Sequence, residues 1–307
     1  MNTVMWTILT MSAPILWGTT YIVTSELLPD GMPYTSAVIR CLPAGIGLLL
    51  LSRYKPRLNE WKPLAVIGFL NITCFQGLLF IAAYRLPGGL AAVLGAIQPL
   101  IILFLGWVLL SQRPNVLSIL SCVTAVIGMG CLILQPIWEG QSTWDVIGLA
   151  AALGGAVSMA LGTFLTKHWQ LNHTLNIPIT SLTGWQLTLG GILLLPFSLW
   201  VDPEFQDITN QHIISYSYLI IFGTLLSYLA WFKGIQKLSP VAVSALGLLS
   251  PVTATVLGWY CLNQTLEGWA LIGLPLVIGS VLAVQLAQLK HFKQQKLSTY
   301  KPQEKIA

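Results

Sequence analysis

Apolar residues run along this chain in blocks too long and too uniform for a half-buried strand or a surface helix. Ten blocks of about 17 to 25 residues are legible, at 5–25, 32–52, 64–84, 88–110, 116–136, 145–166, 178–200, 213–232, 239–261 and 268–289. Each is long enough to cross a hydrocarbon core of about 30 Å as a helix. Lipid offers the backbone no hydrogen-bond partners, so only helices or closed barrels span it. A barrel would show short alternating segments, which are absent from this text. The polar runs between blocks are too short to hold a soluble domain. The pattern predicts an all-α integral membrane protein with ten transmembrane helices. Pro14, Trp17 and Gly18 lie inside the first block, no charged side chain precedes it, and a second block follows at once. It therefore reads as a span and not as a cleaved leader.

Composition narrows the classes further. The 307 residues carry 15 Lys+Arg and 10 Asp+Glu, 8% charged in all, against roughly 25% in soluble domains. Mean hydropathy is +0.75. This excludes a soluble single-domain enzyme and a disordered chain. The net charge of +5 is informative only through its placement. With the amino terminus in the cytoplasm, 13 of the 15 basic residues fall on the cytoplasmic side: Arg53, Lys55, Arg57, Lys62, Arg113, Lys167, Lys233, Lys237, Lys290, Lys293, Lys296, Lys301 and Lys305. Eight of the ten acids (Glu26, Asp30, Glu139, Asp145, Asp202, Glu204, Asp207 and Glu267) fall outside, and Glu60 and Glu304 are the exceptions. Adding or dropping one span would scramble this positive-inside bias, so it supports both the count and two cytoplasmic termini. The basic stretch 290–307 reads as a loose tail beside anionic headgroups and not as a nucleic-acid contact. Cys41, Cys74, Cys122, Cys131 and Cys261 form no CxxC pair, and His is sparse. No metal or cofactor is expected. No phosphate-binding GxxxxGK[ST], HExxH or GxSxG text occurs, so neither ATP-driven pumping nor an enzyme is indicated.

The chain also repeats itself. Residues 95–113 and 247–265 align at an offset of 152 without a gap: Gly95 on Gly247, Pro99 on Pro251, Gly106-Trp107 on Gly258-Trp259, and Gln112 on Gln264. Chance overlap of apolar text matches Leu to Leu, not Pro, Trp and Gln in step. A weaker echo pairs Gly18-Thr19 with Gly162-Thr163. Spans 1–5 thus repeat as spans 6–10, giving units at 1–137 and 138–289. Because five is odd, the second copy enters the membrane from the opposite side. Such inverted repeats are an arrangement of secondary transporters, whose halves exchange conformations about a central site. Pro99 and Pro251 sit mid-span, where each would free a carbonyl and kink its helix. Paired glycines let helices pack closely, with a gating role as the alternative.

Trp17-Gly18, the Pro33 to Arg40 opening of the second span, Pro99 and its duplicate Pro251 together resemble the drug/metabolite transporter superfamily, specifically its EamA-type ten-helix carriers. The resemblance covers roughly residues 5–289. It implies a carrier of the bacterial inner membrane, often an exporter of amino acids or related metabolites, with a central cavity lined mainly by helices 1, 3, 6 and 8. One departure stands out. The family often places a Glu-Arg pair after the fourth span and a Glu after the ninth, where this chain has Gln112-Arg113 and Gln264.

Arg40 is the one formal charge well inside a span. A charge in hydrocarbon is costly and usually faces the bundle interior, and a guanidinium fork suits a carboxylate or phosphate. Arg40 therefore either orients an anionic group or braces the cavity. Trp17, Thr20, Tyr21, Asn71, Gln76, Tyr84, Trp185, Gln186, Tyr228 and Trp231 are the other candidate contacts, with interhelical hydrogen bonding as the plain alternative for each. Gly18, Gly95, Gly247, Pro99, Pro251, Gln112 and Gln264 are candidate structural or gating positions. Amides and hydroxyls within aromatic walls suit a small polar metabolite or amino acid. No Asp or Glu lies deep in a span, so no carboxylate proton relay is visible. A multidrug or lipid-linked metabolite flippase on the same scaffold is the second reading, and a membrane enzyme or scaffold the third. A single chain holding both halves can act as a monomer, with a homodimer equally open.

Overall fold

The computed structural model describes residues 3–29, 31–85, 97–110, 116–133, 145–203, 208–261 and 268–299. Among the described residues the regular structure is entirely helical. The helices are α1 (Thr3–Leu27), α2 (Pro33–Ser52), α3 (Trp61–Gly68), α4 (Phe75–Arg85), α5 (Gln98–Leu110), α6 (Val116–Ile133), α7 (Val146–Leu171), α8 (Ile179–Trp200), α9 (Asn210–Ile220), α10 (Ser227–Lys237), α11 (Pro240–Gly247), α12 (Leu249–Cys261) and α13 (Ala270–Thr299). A π turn at Phe69–Cys74 joins α3 to α4, and a second at Ile221–Leu226 joins α9 to α10. Among the described residues six rods are long and apolar enough to cross a bilayer: Pro33–Ser52, Leu58–Leu79, Val146–Leu171, Ile179–Trp200, Asn210–Lys237 and Val241–Cys261. Shorter apolar helices occupy 98–109, 116–131 and 271–284. The chain is a multi-pass membrane protein.

Local chemistry sets the helix ends. The Asp145 carboxylate accepts from the Gly148 N–H at 2.7 Å and caps α7. Ser239 caps α11, with Pro240 in the first turn where a missing N–H costs nothing. Glu60, an acid among basic residues, is buried and ties down the turn after α2. Its carboxylate accepts from the Tyr54 hydroxyl at 2.9 Å and the Arg57 N–H at 2.7 Å.

Packing follows small residues. α2 lies along α8, and α6 along α13. A Cβ on Gly45 would stand 2.7 Å from the Thr188 backbone nitrogen and 3.0 Å from the Gly184 carbonyl, so α2 and α8 touch backbone to backbone. The repeat-echo glycines have the same use. Gly18 of α1 packs on Thr253 of α12, and Gly162 of α7 packs on the Asn71 amide in the first π turn. Lipid gives apolar side chains no reason to leave it, so this close contact is what holds the helices together.

Polar groups sort to two ends of the bundle. At one end Lys233 of α10 lies 5.5 Å over the Trp6 ring of α1, and the Lys167 ammonium of α7 donates to the Gln236 carbonyl at 2.6 Å. At the other, Arg85 pairs with Asp145 at 3.1 Å, and Asp202 after α8 accepts from the Thr35 N–H at the start of α2. Arg85, the one cation expected outside, is thus matched to an acid.

The structure refines two placements and changes one expectation. Pro99 and Pro251 stand where helices restart within the described residues. They lie in the first turns of α5 and α12, where proline removes no intrahelical bond, and Leu248 interrupts the ninth block between α11 and α12. The stretch after residue 289 is not loose throughout. α13 continues to Thr299 as a 30-residue helix, because Gln, Lys and Leu are good helix formers and no Gly or Pro intervenes. Trp107 and Trp259 lie at the surface of the bundle. The two repeat-matched indoles are 54% and 53% exposed and face outward.

Candidate functional site

A π turn adds one residue to a helical turn and leaves a carbonyl without its usual donor. In the second π turn the Gly223 carbonyl takes donors from outside its own helix. It accepts from the Trp17 indole N–H of α1 at 3.1 Å and from Arg40 Nη2 of α2 at 3.2 Å. Arg40 Nε donates to the neighbouring Thr224 hydroxyl at 3.1 Å. Three rods therefore converge on one irregular turn. Around it the rings of Trp17 and Tyr228, and of Trp17 and Trp231, stand with centroids 5.1 Å apart. The Gln76 amide of α4 donates to the Tyr228 hydroxyl at 3.4 Å. Thr20 closes the group, its methyl facing Gly223 and its hydroxyl spent on the Trp17 carbonyl at 2.6 Å.

A second polar knot surrounds the first π turn. Asn71 Nδ2 donates to Gln186 Oε1 of α8 at 2.8 Å and to the Thr166 hydroxyl of α7 at 3.4 Å. Both amides are fully buried. The Leu70 carbonyl in the same turn accepts from the Ser158 hydroxyl of α7 at 2.8 Å. Each π turn is thus held by the first long helix of the other half of the chain, α7 on the first and α1 on the second.

The structure gathers Arg40, Trp17, Thr20, Gln76, Tyr228 and Trp231 into one cluster and Asn71 with Gln186 into another. Trp185 belongs to neither. Its ring meets Trp61 edge-on at 4.8 Å and its N–H donates to the Tyr54 carbonyl at 3.4 Å, at the basic end. Gln76, Tyr228, Trp231, Asn71 and Gln186 are each at most 3% exposed, so the polar set is packed shut in this conformation. A shallow apolar groove between α6 and α13, lined by Leu117, Leu120, Pro275 and Leu276, shares no residue with it. The side chains of Tyr21 and Tyr84, and Gly95, Gln112 and Gln264, lie outside the described residues. Gly247 faces the Trp231 ring at 3.3 Å from its Cβ position.

Outside the spans two groups are perturbed. Burial, then the bond to the Glu60 carboxylate, pushes the Tyr54 phenol up. The Gly148 N–H, with Arg85 beside it, holds the Asp145 carboxyl below the usual range. Sequence reasoning missed Gly223, Thr224, Ser158 and Thr166. The one available signal was the offset of 152, which places position 223 opposite Asn71.

Comparison with known proteins adds the following. The profile of the EamA-like transporter family matches residues 4–134 and again residues 146–286. Protein PecM of Dickeya dadantii (strain 3937) is 40% identical over 273 residues, covering 89% of this chain and 90% of that protein. A WAT1-related chloroplastic protein of Arabidopsis thaliana is 30% identical over 295 residues, covering 92% of this chain and 70% of its own length. One solved crystal structure superposes with a TM-score of 0.78 at 17% identity, covering 94% of this chain and 99% of that one. The last likeness concerns the fold alone.

Proposed function

The chain belongs to the EamA-like transporter family, and on that premise we propose that it is a secondary carrier that moves amino acids or related small polar metabolites outward by alternating access. Its ten spans form two inverted five-helix units, 1–137 and 138–289, followed by a basic tail at 290–307. Both termini lie in the cytoplasm, and the membrane is a bacterial inner membrane. The ligand sits at mid-depth, between the cluster on Gly223 and the knot on Asn71.

One observation carries this reading. The two π turns, Phe69–Cys74 and Ile221–Leu226, stand 152 residues apart, the offset of the sequence repeat. So do Gln76 and Tyr228, which meet in a hydrogen bond. Two equivalent residues touch only near an axis that relates the halves. Equivalent irregular turns flank that axis, and each is bonded to the opposite half. Rocking one half against the other would break and remake the bonds on the Leu70 and Gly223 carbonyls, which would be the discrete two-state element that alternating access requires.

The test is counterflow in proteoliposomes loaded with a panel of amino acids, paired with cysteine labelling on each side of the membrane. The expected result is saturable exchange of at least one solute, with labelling of the two ends that responds in opposite senses when the solute is added. Absence of flux for every soluble solute, with lipid scrambling present, would instead identify the flippase reading.

A further inference from the structure

The cluster on Gly223 is unbalanced, and the imbalance has a sign. Arg40 carries a full charge inside α2, yet its two hydrogen bonds go to neutral acceptors, the Gly223 carbonyl and the Thr224 hydroxyl. Arg85–Asp145 is the ion pair among the described residues, and it lies at the end of the bundle. No Asp or Glu occurs deep in any span. Arg40 Nη1 makes no hydrogen bond within the described structure. The Trp231 indole N–H, on the ring packed against Trp17, is buried and has no partner among the described residues. The donors outnumber the acceptors, the net charge is positive, and the surrounding rings of Trp17, Tyr228 and Trp231 are apolar.

We propose that this cluster selects a net-negative solute, a carboxylate on an apolar or aromatic body, over zwitterions and cations. The proposal rests on the carrier reading above and, within it, takes related metabolites of net negative charge in place of the zwitterionic amino acids. A bracing role for Arg40 accounts for the bonds of Nε and Nη2, but a neutral donor would serve it equally well. It explains neither the missing counter-charge nor the orphaned indole N–H. A carboxylate answers both: one oxygen takes the free guanidinium edge in a charge-assisted bond, and the other takes the Trp231 N–H as the closed cluster loosens. The rings then cover the organic body. An ammonium would find no carboxylate here, and the rings of Tyr228 and Trp231 that would hold it are packed at a tilt against Trp17.

The experiment uses the full chain, purified in detergent and reconstituted, with three probes of one skeleton: 3-phenylpropionate, L-phenylalanine and phenethylamine. Thermal stability and counterflow are read for each. The anion should give the largest upward shift in Tm and should exchange fastest. Arg40→Gln should erase the preference and Arg40→Lys should keep part of it. Trp231→Phe, which keeps the ring and removes the N–H, should weaken anion binding by about tenfold, the weight of one hydrogen bond to a charged group. The proposal is overturned if phenethylamine or phenylalanine matches the anion, if the response to all three is flat, or if Arg40→Gln and Trp231→Phe leave the anion response intact. Should Arg40→Gln fail to fold, Arg40→Lys and Trp231→Phe still decide. Phenylalanine exchange without anion binding sinks the selectivity and leaves the carrier standing. Absence of exchange for any solute sinks the carrier as well.

Discussion

Replacing Gly162 with alanine should destabilise the protein, and the reason lies across the helix interface. The Gly162 Cα packs against the Asn71 amide oxygen, and a methyl has no room there. Asn71 must swing away and give up its bonds to Gln186 and Thr166. An interhelical bond of this kind is worth about 0.6 kcal/mol in a membrane. Orphaning the buried Gln186 amide adds about 1–3 kcal/mol. Alanine's better helix propensity returns about 1 kcal/mol, so the net cost is about 1–3 kcal/mol. Denaturation in mixed micelles of dodecyl maltoside and dodecyl sulfate, followed by tryptophan fluorescence, measures it. The decisive comparison is Gly162→Ala in an Asn71→Ala background, where the obstacle is gone. There the same methyl should be neutral or stabilising by about 1 kcal/mol. An equal penalty in both backgrounds, or none in either, would refute the reasoning.

Three further outcomes follow from the same structure. Asp145 has its pKa depressed in the folded state, chiefly by the Gly148 N–H. Its contribution is therefore present above the ordinary carboxylate range and lost as pH falls through the depressed value, and Asp145→Asn should flatten the acid limb of a melting curve below about pH 4. Ser158→Ala removes the donor on the Leu70 carbonyl and should cost about 0.5–1.5 kcal/mol in micelle denaturation. It should also slow exchange in proteoliposomes, and unchanged flux would show that the first π turn does not move. Gly45→Ala drives a methyl into the backbone of α8 at Thr188 and Gly184, where no side chain can yield. It should cost about 1–3 kcal/mol, and full wild-type stability would mean that α2 and α8 separate freely.

The helical blocks were readable because lipid enforces length and apolarity together, and six of the ten coincide with rods long enough to span among the described residues. The duplication was readable only where rigid residues repeat. Between 69–74 and 221–226 not one position is identical, Asn71 facing Gly223 and Ile72 facing Thr224, yet both stretches form the same irregular turn. Carbonyls in both turns are bonded from other helices, by Trp17, Arg40 and Ser158, far away in sequence. The candidate site was legible as a set of residue types but not as a grouping. Trp185 looked like Trp231 on the page, and only packing sends one to the basic end with Trp61 and the other to the centre.

The outward-facing indoles at Trp107 and Trp259 offer a built-in depth gauge. They are chemically identical, equally exposed at 54% and 53%, and placed near the C-terminal ends of α5 and α12. If the second unit enters the bilayer upside down, one ring reports on the inner leaflet and the other on the outer. Brominated lipid confined to a single leaflet should then dim Trp107→Phe and Trp259→Phe proteins unequally, and exchanging the bromine to the opposite leaflet should reverse the order. A light signal from two tryptophans would thus read the handedness of the whole duplication without a substrate being known.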